Sequence, residues 1–131
     1  MRGEALDWLY EASEDLETAR SLFKLRRYAH ACFHAQQAAE KALKAAILVL
    51  LRRLERQHDL VELYTMVKEG FHLPREVEEL MVELSSYYTQ ARYPNAGLRR
   101  PSKAIGSTQA EKALKVAEAV VDEAKRVIGE A

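Results

Sequence analysis

Tyr28-Ala29-His30-Ala31-Cys32-Phe33-His34-Ala35-Gln36-Gln37-Ala38-Ala39-Glu40-Lys41-Ala42-Leu43-Lys44-Ala45 is the stretch that decides the fold. Ala31, Ala35, Ala38, Ala39, Ala42 and Ala46 recur at helical spacing and make one face small enough for neighbouring helices to approach closely. A helix over about residues 28 to 52 with such a face belongs at the centre of a bundle. Before it, Ala5, Trp8, Leu9, Ala12, Leu16, Ala19 and Phe23 mark one side of a helix from about 4 to 24, with acids opposite. After it, Asp59 with Glu62 caps a short helix whose inner face is Leu60, Leu63, Tyr64 and Val67 and which Gly70 stops. Pro74 opens a fourth helix at its first turn, and Val77, Leu80, Met81, Leu84, Tyr88 and Ala91 carry the apolar spacing on. Pro94 pushes Tyr93 out of the α region, so this helix ends near Arg92. Thr108 with Glu111 reads as the capping box of a last helix carrying Ala110, Ala113, Leu114, Ala117, Val121, Ala124 and Ile128. No stretch alternates as a strand does. The expected architecture is all-α, one domain over residues 1–131 built as an up-and-down antiparallel bundle of four to five helices.

Composition narrows the function. Of 131 residues 31% are charged, yet the charges cancel, which argues against a globally steered nucleic-acid binder and leaves local patches. Cys32 is the single cysteine, so no intrachain disulfide or four-cysteine zinc site can form. It falls toward the Ala-rich side of its helix, as a buried inert thiol would. The longest apolar run, Ala45 to Leu51, is too short to span a bilayer and the N-terminus lacks a signal-peptide core, so a cytoplasmic protein without membrane contact is expected.

Short connections would gather the end of the second helix, the start of the third, the end of the fourth and the start of the fifth at one pole. That pole would hold Arg52, Arg53, Arg56 and His58 from the first junction and Arg92, Arg99, Arg100 and Lys103 from the second. Residues 92 to 107 contain no acid. Such a pole suits a nucleotide phosphate or an RNA backbone, with Arg92 able to meet phosphate bidentately, Asn95 as a neighbouring polar group and Tyr93 as the ring on which a base stacks. Tyr87 and Tyr88 have the helical spacing of core aromatics. The competing reading is that these cations offset helix carboxyl-terminal dipoles, Arg92 by bonding its own last carbonyls. His30, His34, Gln37, Lys41 and Lys44 form a polar stripe, solvated or set against a partner subunit; with no third ligand in view, no metal or other cofactor is expected. Gln36 and Glu40, at the edge of the apolar face, are placed for inter-helix hydrogen bonds.

The helical stretch from Tyr28 to Ala45, followed by His58-Asp59-Leu60 and then Ala91-Arg92-Tyr93-Pro94, resembles the HEPN domain family over nearly the whole chain. The resemblance implies an all-helical homodimer, with the arginine region near the subunit interface. It also implies a minimal nucleotidyltransferase as partner in a two-protein module of toxin and antitoxin type, for which the domain would bind nucleotide or substrate. Other members are metal-independent ribonucleases whose motif is Arg, a polar residue and, several positions on, His. Here Arg92 matches the motif arginine, but Gly97, Leu98 and Arg99 stand where the His should be. Arg53 and His58 have the motif separation in the wrong junction of the fold. The sequence therefore favours a binding module using Arg92, Tyr93, Asn95, Arg99, Arg100 and Lys103, with a ribonuclease built on Arg92 and His58, and a structural inhibitory partner, as alternatives.

Overall fold

The computed structural model describes residues 2–130, and every regular element among them is helical: α1 (Arg2–Lys24), α2 (Tyr28–Leu51), α3 (Leu60–Val67), α4 (Arg75–Gln90), α5 (Pro101–Ala104) and α6 (Ser107–Glu130). The all-α bundle is as the periodicities predict. Its centre is α2, whose Ala31, Ala35, Ala38, Ala39, Ala42 and Ala46 are all buried and admit α1, α4 and α6 on different sides. Leu43, Ile47, Leu63, Met81, Leu84 and Val116 fill the space between, each worth about 1.5–3 kcal/mol of burial.

Local chemistry sets the ends. Asp59 accepts hydrogen bonds from Val61 N and Glu62 N at 2.9 and 3.2 Å, so α3 starts where its cap residue predicts. Pro74 stands just outside α4, not in its first turn. The expected capping box at Thr108 and Glu111 does not form. Instead α6 begins earlier, because the Gln109 side chain reaches back to accept from Gly106 N at 3.0 Å while Gly106 O accepts from Ala110 N. The segment expected to be all loop after Arg92 contains α5, opened by Pro101 at its first position, and buried Pro101 and Ile105 pin it to the bundle.

The connection after α2 is the main departure from expectation. Arg52 takes a left-handed conformation (φ 55°) and its N–H closes the last turn on Leu48 O. The chain from 52 to 59 then runs back along α2 instead of reversing at its end. His58 O accepts from Gln36 Nε2, some four turns before α2 finishes. Gly70, beyond α3, lies under the Leu50 side chain, so α3 runs in the same direction as α2. That return covers Gln36 and Glu40, burying polar side chains that would otherwise edge the apolar face, and Lys44, bonded to Glu40, is buried with them. All are satisfied: among the described residues no buried side-chain nitrogen or oxygen lacks a partner.

The polar stripe of α2 mostly faces inward as well. His34 Nδ1 and Lys41 Nζ lie 3.3 and 2.7 Å from the carboxylate of Asp15 on α1, Lys44 is buried, and only His30 is exposed. No group of side chains among the described residues is arranged to hold a metal. Burial pushes the Asp15 carboxyl up, but the hydrogen bonds from His34 and Lys41 outweigh it and hold the group below its ordinary 3.8. Glu123, bonded by Arg126, is likewise held below its ordinary 4.5. Groups depressed in the fold take up protons first in the unfolded chain, so their contribution is full above the ordinary carboxyl range and disappears as pH falls through the folded values. Melting temperature should therefore fall steeply below about pH 4, and Asp15→Asn should flatten that acid limb. Equal acid limbs in parent and variant would remove Asp15 from this account.

Candidate phosphate site

Arg92 stands in the turn that ends α4. Its backbone N–H bonds to Thr89 O, and its Nε donates to Tyr88 O at 2.6 Å. The dipole-offsetting role is thus real, yet it occupies only Nε. The guanidinium carbon lies 4.4 Å from the centroid of Tyr88, 4.7 Å from that of Tyr93 and 5.0 Å from that of Phe33, so three rings from α2, α4 and the following turn flank it. Among the described residues no carboxylate pairs with it, and its terminal nitrogens are left to an incoming acceptor.

His58 reaches the same place along the returning segment. Its ring stacks on Tyr88 with centroids 4.1 Å apart and planes 14° from parallel. Its Nδ1 lies 2.8 Å from Glu40 Oε2; a carboxylate only accepts, so Nδ1 carries a hydrogen, and in the neutral ring Nε2 is then the acceptor. The half-exposed imidazole lines an open groove of about 490 Å³ with Ser85, Ser86, Tyr88 and Thr89.

The other predicted residues divide. Arg99, Arg100 and Lys103 line a second groove of about 330 Å³ with Ala104. Asn95 is a turn residue: at φ 60° its N–H bonds to Leu98 O, and Gly97 at φ 105° follows because the Gln90 side chain occupies the space where a Cβ would stand. Tyr93 is half exposed against Arg92, whereas Tyr87 is core and its phenol, pushed far up mainly by burial, packs beside Cys32. Burial likewise pushes the Cys32 thiol up to about 12, which suits the inert role.

Arg52 and Arg53 do not join this pole. Arg53 contacts Glu55 and Met66 near the far end of α3, because the connection after α2 runs back instead of turning over, and this also separates Arg53 from His58. In their place stand Arg26 and Arg27 of the α1–α2 turn, which share a small pocket with Ser102 of α5. The cluster Lys24, Arg26, Arg27 was the signal for them, since an α1–α2 hairpin puts that turn at the start of α2. Glu40, which holds His58, carried only the expectation of an inter-helix bond.

The model of the HEPN domain matches residues 5–127. The chain belongs to the HEPN domain family. It is 29% identical over 133 residues to the Methanocaldococcus jannaschii protein named "Putative toxin MJ1304", covering 94% of this chain and 87% of that one. The crystal structure of TT1696 from Thermus thermophilus is similar at 33% identity and a TM-score of 0.84, over 94% of this chain and 97% of that one. ST0689, an archaeal HEPN homologue, is similar at 28% identity and a TM-score of 0.78, over 95% and 97% of the two chains. No helix among the described residues of this HEPN chain is long and apolar enough to cross a membrane.

Proposed function

We propose that this HEPN chain is a phosphate-binding module that holds nucleotide or RNA at its Arg92 pole. In this reading it works in the cytoplasm as a homodimer, without a cofactor, beside a minimal nucleotidyltransferase in a toxin–antitoxin-like pair. The observation that carries the reading is Arg92 with its terminal nitrogens uncommitted, flanked by three rings and followed by Arg99, Arg100 and Lys103, none of them paired with a carboxylate among the described residues. Phosphate satisfies the cations while a base stacks on Tyr93. The name of the M. jannaschii relative supports the toxin side of the pair.

Titration with nucleotides and short RNA tests this. Arg92→Ala should weaken binding about ten- to a hundredfold, the equivalent of removing one charge-assisted hydrogen bond. Unchanged affinity in the Arg92→Ala/Arg99→Ala/Arg100→Ala variant, or no binding by the parent, overturns the reading.

One observation favours a second reading, a metal-independent ribonuclease. His58 and Arg92 meet on Tyr88, and Glu40 orients His58 so that Nε2 can take a proton from a ribose hydroxyl while Arg92 steadies the phosphate. Cleavage of RNA in chelator that His58→Ala abolishes with the fold intact would establish it; no cleavage by the parent would leave the binding module alone.

A further inference from the structure

Arg26, Arg27, Tyr28, Ala29, His30 and Ser102 line a pocket of about 60 Å³ between the α1–α2 turn and α5. A cavity needs only about 10–15 Å³ of such space to hold one water, so this recess admits a small polar group such as a single phosphate. Residues with side-chain donors line it from two segments, Arg26, Arg27, Tyr28 and His30 from the turn and the start of α2, and Ser102 from α5. Arg26 and Arg27 have no carboxylate partner among the described residues.

Capping of α1 accounts for the backbone of this turn, but the charge of the turn works against α2. The start of a long helix favours an anionic or hydroxyl cap, whereas α2 has Arg27 at its cap position, no side-chain cap bond and no acid in its first turn. Arg26 before it sits at φ 61° as the left-handed residue that closes α1, with its N–H bonded to Phe23 O and that of Arg27 to Leu22 O. Arg26 and Arg27 add their charge to the positive end of the α2 dipole beside this pocket, and a bound anion would offset both.

The pocket also continues the site described above. Ser102 lines it while the adjacent Lys103 lines the groove with Arg99 and Arg100. Phe33, one turn along α2 from Ala29 and His30, is a ring flanking Arg92. Positive groups therefore follow one another around the pole, from Arg92 through Arg99, Arg100 and Lys103 to Arg26 and Arg27. We infer that the Arg26–Arg27 pocket is a further phosphate subsite, and that the ligand of this pole is a single RNA strand with several phosphates, not a mononucleotide. The inference rests on the proposed phosphate-binding function and specifies its ligand.

Anisotropy titrations with a uridine octanucleotide and with uridine monophosphate, across a range of salt, test it. The proteins are the parent, Arg92→Ala, Arg26→Gln/Arg27→Gln, and the charge-matched Arg52→Gln/Arg53→Gln at the opposite end of the bundle. In Arg26→Gln/Arg27→Gln the octanucleotide should bind about tenfold more weakly, with the salt slope reduced by about 0.7 for each phosphate no longer neutralised. Uridine monophosphate should bind that variant as it binds the parent, and Arg52→Gln/Arg53→Gln should bind the octanucleotide as the parent does. If Arg92→Ala weakens the octanucleotide but Arg26→Gln/Arg27→Gln leaves affinity and slope unchanged, the subsite is overturned and the Arg92 function stands. Equal weakening by the Arg52→Gln/Arg53→Gln control also overturns it, in favour of a diffuse field, as does equal loss of the mononucleotide. Absence of octanucleotide binding by the parent overturns both.

Discussion

Glu40→Ala should lower the unfolding free energy by about 3–5 kcal/mol, as removal of one partner from a buried ion pair does. Glu40 is 4% exposed and both of its oxygens are engaged. Oε1 accepts from Gln36 Nε2 at 3.2 Å, and Oε2 lies 2.8 Å from both Lys44 Nζ and His58 Nδ1. Truncation leaves the Lys44 residue, itself 4% exposed, without its carboxylate and with the Trp8 ring 5.8 Å from its ammonium. The double variant Glu40→Leu/Lys44→Met should recover most of the loss, since it removes both charges together. Recovery of stability should not bring recovery of the site: without Glu40 nothing holds His58 Nδ1, so any cleavage that depends on His58 stays lost. Urea unfolding with an unchanged m-value is the measurement. A Glu40→Ala midpoint shift worth less than about 1 kcal/mol, the size of an ordinary substitution, would mean that water reaches this pair in solution.

Why Glu40 was only partly legible in the sequence is a matter of where the chain goes next. Gln36, Glu40 and Lys44 lie four apart on α2, and spacing alone puts the first two at the edge of the alanine face and Lys44 in the polar stripe. Gln36 and Glu40 become buried as residues 52 to 59 return over them, while Lys44 lies beside Trp8 of α1, and nothing in that charged segment signals its direction. The same ambiguity made Arg52 and Arg53 look like companions of Arg92. Features written in local chemistry were readable: the alanine face of α2, the Asp59 cap, the stop near Arg92 and the buried Cys32. Features that depend on which segment packs on which were not, and these include the start of α6 and the joining of Arg26 and Arg27 to the basic pole. Arg92 itself was legible as a candidate because Pro94 fixes where its helix must stop, although the three rings around it come partly from α2.

Phe71→Ala should cost about 3–5 kcal/mol, the range for a fully buried phenylalanine, and lower the melting temperature by roughly 10–20 °C in a chain of this length. Connections normally stay at the surface, yet Phe71, between α3 and α4, is 0% exposed and among the largest fully buried side chains. Its ring meets Tyr64 edge to face with centroids 6.3 Å apart. Tyr64 in turn donates to Glu78 on α4 at 2.7 Å, so Phe71 fills the wedge where the two helices diverge. Phe71→Leu keeps most of that volume and should cost less than about 1.5 kcal/mol. Phe71 lies at the far end of α3 from the site, whose start is fixed separately: Leu60 N donates to Ser85 Oγ at 2.9 Å, and His58 is held by Gln36 and Glu40. Below its melting temperature the Phe71→Ala protein should therefore bind RNA as the parent does, in contrast to Arg92→Ala. If Phe71→Ala weakened RNA binding as much as Arg92→Ala, the α3–α4 wedge and the phosphate site would be one cooperative unit, and the local hydrogen bonds around His58 would not suffice to hold the site in place.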